Sequence, residues 1–313
     1  MRRKFTFVGL GEVLWDLLPS GKQLGGAPTN FAYISTLLGD RAVVASRVGR
    51  DALGREALER LKNLGVETFY VQPDDSHRTG TVAVQLDRRG QPRFTIHEDV
   101  AWDFLSWSES WKKLAREADA VCFGTLAQRS PRSRRTIAQF LRNTHGIRIF
   151  DVNLRQNFYS AEVLRRSVAL ATIVKMNYAE MPVILKSLDL KPGGGIAAAK
   201  QLLNLGPKLV CVTRGERGSF LLSPCGAVEH DGFSVRVKDT IGAGDAFTAA
   251  LVHEYLRGAS LEKMNDAANR MGSWVATQAG GTPVIGKKVL RRRLAELSEI
   301  NHRAHGGSQR RDG

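Results

Sequence analysis

Short apolar runs rich in Val, Ile and Phe alternate with longer stretches of helical periodicity along most of the chain. The runs fall at residues 5–10, 42–48, 120–123, 148–152, 172–176 and 209–213. They are continuous rather than alternating, which predicts strands covered on both faces. Between several of them lie helical patterns, at 30–38, 54–64, 134–143 and 196–205. Strand–helix alternation of this kind predicts an α/β fold with a mostly parallel central sheet and helices on both sides.

Two segments break the rhythm. Residues 12–24 contain a hairpin pattern around Pro19-Ser20-Gly21, and residues 80–97 hold two alternating runs joined by a turn at Arg88–Gly90. Period-two alternation predicts strands with one wet and one covered face. A small antiparallel sheet beside the parallel one, formed from about 12–26 and 66–104, would serve as a lid. From Ala246 the pattern turns helical, and a charged helix follows Ile285. The expected organisation is one domain over 1–300 with a polar, disordered, basic tail at 301–313.

A chain of 313 residues, 42% hydrophobic, is long enough to bury a large core. No apolar run approaches the ~20 residues of a bilayer span, so no membrane contact is expected. The basic start is followed by only a short apolar stretch before Glu12 and Asp16, too short for a secretory signal. The cytoplasm is the expected compartment. Cys122 and Cys211 sit in apolar runs and read as core thiols, and the three cysteines lack metal-ligand spacing.

The net charge of +15 changes the picture little. Residues 287–313 hold eight Lys/Arg against three Asp/Glu, and 128–148 carry Arg129, Arg132, Arg134, Arg135, Arg142 and Arg148 with no acid. Such fields attract polyanions. No zinc-finger spacing or aromatic RNA-binding motif accompanies them, so no specific nucleic-acid partner is expected. A solvated helix face and a basic tail account for the excess.

Phosphate chemistry needs backbone N–H groups free to face an anion, and small residues before a helix supply them. Gly9 and Gly11 follow a strand, but Leu14 stands where a dinucleotide fingerprint needs its third glycine, and no P-loop motif occurs. The remaining place is DTIGAGDAF, where Gly242, Ala243 and Gly244 precede an apolar helix. Asp245 at its start reads as a helix cap, worth about 1 kcal/mol. It also reads as a general base beside an anion-binding turn, the layout of phosphoryl transfer.

DTIGAGDAFTAALV (239–252) resembles the C-terminal signature of ribokinase-like, or PfkB-type, carbohydrate kinases. Residues 25–54, GGAPTNFAYISTLLGDRAVVASRVGRDALG, resemble their N-terminal signature. The resemblance covers roughly residues 5–290 with the motifs in the family's order. It implies a three-layer αβα sandwich with a β-sheet lid, and ATP-dependent phosphorylation of a sugar. In that family Asp245 matches the catalytic base, and Gly242, Ala243 and Gly244 match the anion hole. Asp16 matches a lid-base aspartate that binds sugar hydroxyls, and Gly25, Gly26 and Asn30 match the substrate-binding element. Read alone, Asp16 is a turn acid and Asn30 a helix cap.

Arg155 in DVNLR resembles the arginine of fructokinases and ketodeoxygluconate kinases, where it meets phosphates or substrate; alone it reads as a surface ion pair. Asn177 and Glu180 match an N-x-x-E motif that organises Mg2+ through water. Thr213, Gly215 and Gly218 match the nucleotide loop, whose glycines leave room for ATP, and Asn269 with ATQAGGTP matches the adenine-side wall. In many members the loop from Asp239 and the stretch near Gly280 also hold a monovalent cation such as K+. The sequence leaves its presence here open.

GEVLWDLLP, GGAPTN and AWDF (101–104) are most similar to bacterial fructokinases, but HEDVAWDF replaces their usual tyrosine-containing lid motif. The expected reaction is transfer of the ATP γ-phosphoryl to a primary hydroxyl, first of all O6 of fructose. Ketodeoxygluconate kinase, ribokinase and a noncatalytic sugar or nucleotide sensor are the alternatives. Relatives often pair through the lid, which implies a homodimer.

Overall fold

The apolar runs become the centre of a nine-stranded sheet in the computed structural model, which describes residues 4–19, 21–86 and 92–306. The chain opens with β1 (Thr6–Leu10), β2 (Leu14–Leu18), β3 (Gly21–Gly25), α1 (Ala27–Leu38), β4 (Arg41–Gly49) and α2 (Ala52–Asn63). It continues through β5 (Val71–Asp74), β6 (Gly80–Leu86), β7 (Pro92–Ile96), α3 (Glu109–Glu117), β8 (Ala120–Phe123) and α4 (Pro131–Arg142). Then come β9 (Ile147–Asp151), α5 (Ala161–Leu170), β10 (Ile173–Asn177), α6 (Met181–Ser187), α7 (Gly195–Leu203) and β11 (Leu209–Thr213). The last elements are β12 (Ser219–Ser223), β13 (Gly226–His230), α8 (Ala243–Tyr255), α9 (Leu261–Ala276) and α10 (Lys287–Gly306).

The large sheet runs β13-β12-β11-β10-β9-β8-β1-β4-β5. Pairings from β5 to β11 are parallel, and β12 and β13 close one edge antiparallel. From β1 the chain first builds toward β5, then returns to β8 on the other side. That reversal opens a crevice at the C-terminal strand ends, where ligands of such sheets bind.

Side chains along each strand split between two cores. Val8, Val121, Phe123, Phe150, Val174 and Val210 face α3–α7, while Phe7, Ala120, Cys122, Ile149, Ile173 and Cys211 face α1, α2, α8, α9 and α10. Each large apolar side chain so buried contributes about 1.5–3 kcal/mol. The three-layer αβα expectation holds, and Cys122 and Cys211 are core thiols with Cys225 exposed. No helix among the described residues is long and apolar enough to cross a membrane.

The lid is a separate four-stranded sheet, β3-β2-β6-β7. It is mixed rather than wholly antiparallel, because β2 and β6 pair parallel. These two strands come from distant segments that both leave the large sheet in the same direction. The lid is also smaller than its expected range: β5, inside 66–104, pairs with β4 and belongs to the large sheet. The turn at Arg88–Gly90 lies outside the described residues, as does Ser20 of the first hairpin turn. Helix α10 extends to Gly306, past the expected start of the tail. The remainder of the tail, 307–313, is outside the described residues.

Two kinds of helix start matter for the site. Asp51, Ser108, Ser160 and Ser260 cap α2, α3, α5 and α9 with side-chain oxygens. Helices α1 and α8 instead begin at Gly26 (φ 102°) and Gly242 (φ 76°) with no side-chain cap of their own. A left-handed backbone favours glycine there, and the first amides of both helices are left to other partners.

Candidate active site

Helices α1 and α8 meet over the end of the sheet. Asn30, in the first turn of α1, donates from Nδ2 to Oδ2 of Asp245 in the first turn of α8, at 2.8 Å. Neither residue is a cap: Asn30 lies inside α1, and Asp245 spends its oxygen on Asn30. The fit is tight. A Cβ on Gly281 would start 2.6 Å from the Asn30 amide nitrogen, and one on Gly242 would start 2.4 Å from Gly281 Cα. Gly9, in the glycine pair at the end of β1, is there for packing, since its Cβ would meet the Pro28 carbonyl oxygen of α1 at 2.0 Å.

Below this contact lies a buried ion pair. Lys175 of β10 places Nζ 3.0 Å from both carboxylate oxygens of Asp151 at the end of β9. The Thr248 hydroxyl of α8 donates to Asp151 Oδ2 at 3.0 Å. A Cβ on Gly244 would start 2.9 Å from Lys175 Nζ, so the ammonium sits directly behind the glycine turn. Buried ion pairs add little net stability, yet breaking one by removing a partner costs about 3–5 kcal/mol.

Asp245, Asp16, Glu12 and Glu180 are shifted upward. Loss of water and the Asp151 charge push partly buried Asp245 up to about 6, against Lys175, the Asn30 hydrogen bond and Arg155. Burial pushes Asp16 up to about 6, with Asp239 adding and Arg155 opposing. Glu12, 3% exposed, is pushed up to about 7 by burial, and Asp245 adds to the rise. Burial opposes the Lys175 charge, but Asp151, Asp245 and Glu180 together hold it protonated above its ordinary range. Carboxyls poised near neutrality in a crevice suit proton transfer.

The other expected residues fall around this centre. Asp16 on β2 lies against Gly25, whose Cβ would start 2.4 Å from Asp16 Oδ2. Gly26 leaves room for the Glu12 carbonyl oxygen, 2.4 Å from where its Cβ would stand. Arg155 is exposed, donates to the Leu154 carbonyl at 3.1 Å, and lowers the pKa of Glu12, Asp16 and Asp245. The DVNLR loop that carries it holds Asn153 and Gln156 at positive φ (42° and 47°).

Glu180 and Asn177 bind each other's backbone. Glu180 Oε2 accepts from Asn177 N at 2.8 Å, and Asn177 Oδ1 accepts from Glu180 N at 3.0 Å. Glu180 Oε1 accepts from Leu154 N at 2.8 Å, which ties the Arg155 loop to β10. Asp239 joins two loops, accepting from Ile241 N at 3.0 Å and Gly280 N at 2.9 Å. A side chain at Gly280 would meet Gln23 Oε1 of the lid at 2.6 Å.

Thr213 ends β11, and its carbonyl accepts from Tyr178 N at 2.8 Å. Gly215 and Gly218 both have left-handed φ (64° and 72°). At Gly218 a Cβ would strike the His230 carbonyl oxygen at 1.9 Å, so that glycine lets β13 approach. Asn269 is buried, and its Nδ2 donates to Ser219 Oγ at 2.7 Å and Asn265 O at 2.8 Å.

Arg129 departs from the solvated face expected of the Arg cluster. It is 6% exposed, donates to both oxygens of Asp103 at 2.8 Å, and stacks between Trp102 (4.0 Å) and Phe158 (4.7 Å). This clamp fixes the AWDF segment below the lid.

Glu12, Lys175, Gln23 and Arg129 were not singled out in the sequence as site or clamp residues. The available signal was an ionisable residue inside an apolar pattern, at GLGEVL and TIVKMN. Among the described residues no cluster of three or more His, Cys, Asp or Glu could hold a metal by itself.

Comparison with known proteins bears on the family and the fold. The model of the pfkB family of carbohydrate kinases matches residues 20–287. A fructokinase of Salmonella typhimurium is 32% identical over 255 residues, 78% of this chain and 82% of that protein. The structure of an uncharacterized sugar kinase from Pyrococcus horikoshii in complex with ATP is similar with a TM-score of 0.77 at 28% identity, covering 94% of this chain and 100% of that one. A fructokinase from Vibrio cholerae, with fructose, ADP and calcium bound, has a TM-score of 0.79 at 24% identity over 93% of this chain and 99% of its own. At that identity the likeness speaks for the fold alone.

Proposed function

The chain belongs to the pfkB family of carbohydrate kinases, and we propose that within it the protein carries the γ-phosphoryl group of ATP to a primary hydroxyl of a sugar, O6 of fructose first. The observation that carries this reading is Asp245, held by Asn30 at 2.8 Å at the start of a helix capped only by Gly242.

Asp245 removes the hydroxyl proton. The freed oxygen bonds to the γ-phosphorus as the bond to the β,γ-bridging oxygen breaks, and ADP leaves. Negative charge on the transferring group meets the amides of Gly242 and Gly244 and the positive end of α8, while the Ala243 amide, expected in the same anion hole, donates to the Thr240 carbonyl at 3.2 Å. Asp16, Gly25 and Gly26 hold the sugar from the lid side. Arg155 approaches the same carboxyl group set and steers the charged reactant. Thr213, Gly215, Gly218 and Asn269 line the nucleotide side.

Mg2+ fits the residues present: each Glu180 oxygen accepts one backbone amide and keeps a lone pair for a metal-bound water. Glu180 and Asn177 would hold the ion through water, where it neutralises phosphate charge. The same reading puts K+ at the Asp239 and 280 loops, which Asp239 already joins. Dependence of turnover on K+ against Li+ checks it.

The test is ADP formation with fructose, ribose, ketodeoxygluconate and nucleosides, with the phosphate located by phosphorus NMR. Fructose as the best acceptor, phosphorylated at O6, is expected. Preference for ketodeoxygluconate would point to Arg155 as the partner of a sugar carboxylate. Silence with every acceptor would leave a noncatalytic sensor.

A further inference from the structure

Strand β10 is buried from Ile173 to Met176, and Lys175 is its one ionisable residue, with a side chain only 8% exposed; Asn177 at its end is exposed. The Lys175 stem turns toward α8 rather than to solvent. Its Nζ is shared between the two oxygens of Asp151, and the same carboxylate accepts the Thr248 hydroxyl. That hydroxyl also lies 2.9 Å from the Gly244 carbonyl oxygen. An ammonium carries three protons, and Asp151 accounts for two.

We propose that Lys175 is a positioning residue of the transfer step: a fixed cation behind the Gly242–Gly244 turn that keeps Asp245 ready to accept a proton and the turn attractive to the phosphoryl group. This inference rests on the reading of Asp245 as the base. The side chains that bear on Asp245 include Asn30 from α1, Glu12 from the turn after β1, Cys122 from β8, Asp151 from β9, Arg155 from the following loop and Lys175 from β10. Lys175 and Arg155 are the cations among them, and Arg155 is exposed to water and salt. Lys175 is enclosed, so its field reaches Asp245 with little screening.

The competing account is a structural pin, in which Asp151 joins α8 to the sheet through Thr248 and Lys175 only neutralises it. A pin needs no charge at position 175 once Asp151 is neutral. Asp151→Asn is therefore the background in which to remove the ammonium. Adding Lys175→Met to it should raise the acid limb of kcat/KM for the sugar by about one pH unit. The same step should lower kcat about tenfold or more. Equal limbs and equal kcat with and without the ammonium would overturn the proposal.

If Asp151→Asn alone does not fold, the double variant Asp151→Asn/Lys175→Met, which leaves no unpaired buried charge, is compared with the wild type. A structural pin would keep kcat there, whereas loss of the cation should lower it about tenfold or more. Equal kcat would again overturn the inference. Asp245→Asn, measured beside them, separates the two claims. Wild-type turnover there would sink the base assignment, while its collapse alongside equal limbs would sink only the role of Lys175.

Discussion

The floor of the site and its lid hold their polar groups in different ways. In the floor, five residues from four elements form two bonded sets: Asn30 holds Asp245, and Lys175 and Thr248 hold Asp151. In the lid, Asp16 lies against the bare backbone of Gly25, and Gln23 Oε1 is buried without a hydrogen-bond partner beside Gly280. The floor is cross-linked before any ligand arrives, with Asn30 Oδ1 left as an open acceptor, whereas the lid offers Asp16 and Gln23 to a ligand. The contrast separates chemistry from selection. Floor changes should strike turnover, and lid changes should strike sugar affinity.

The largest effect should come from Asp245→Asn, which keeps the shape and removes the base. We expect kcat to fall about a thousandfold with the KM for ATP little changed, measured by coupled ADP assay. Gly281→Ala strikes the same floor from outside it. Its methyl would start 2.6 Å from the Asn30 amide nitrogen and push that amide off Asp245. A fall in kcat of about 10- to 100-fold is expected; an unchanged kcat would show that Asn30 does not hold the base.

Asp16→Asn tests the other side of the contrast. It should raise the KM for the sugar about tenfold while the KM for ATP stays put. A loss confined to kcat would place Asp16 with the floor and dissolve the distinction.

The smallest expected effect is on stability. Glu12 has its pKa raised from 4.5 to about 7, so the folded protein holds a proton that the unfolded chain releases. Its contribution is therefore present below about 4.5 and is lost as pH rises through about 7. Glu12→Gln removes that loss. Its melting temperature should exceed that of the parent by about 2–4 °C at pH 8 and match it near pH 5. A gap of equal size at both values would mean that Glu12 does not titrate in this window.

Much of the frame was legible because burial on both faces writes itself as continuous Val/Ile runs. Strands β1, β4 and β8–β11 follow those runs closely. Strand β5 was harder, since Val71–Asp74 includes Pro73 and carries no such run, and only its pairing with β4 assigns it to the large sheet. Strands β12 and β13 lie at an edge, and β13 is largely exposed. At the site, glycine turns and a following acid marked Asp245. Its partner Asn30 lies 215 residues away, and no local pattern could pair them. Lys175 and Glu12 were hidden for a related reason. Each is one ionisable residue in an apolar stretch, and what they face is decided by how β10 packs under α8 and β1 under α1.

The central claim is that Asp245 accepts the sugar proton, and the pH profile of kcat/KM tests it most directly. Asp245 is pushed up to about 6, so it must lose its proton above that pH to act. The rate should fall about tenfold per unit below pH 6 in the wild type and in Asp16→Asn. Asp245→Asn should show a small residual rate without that limb. An Asp245→Asn variant with wild-type turnover and the same acid limb would contradict the account.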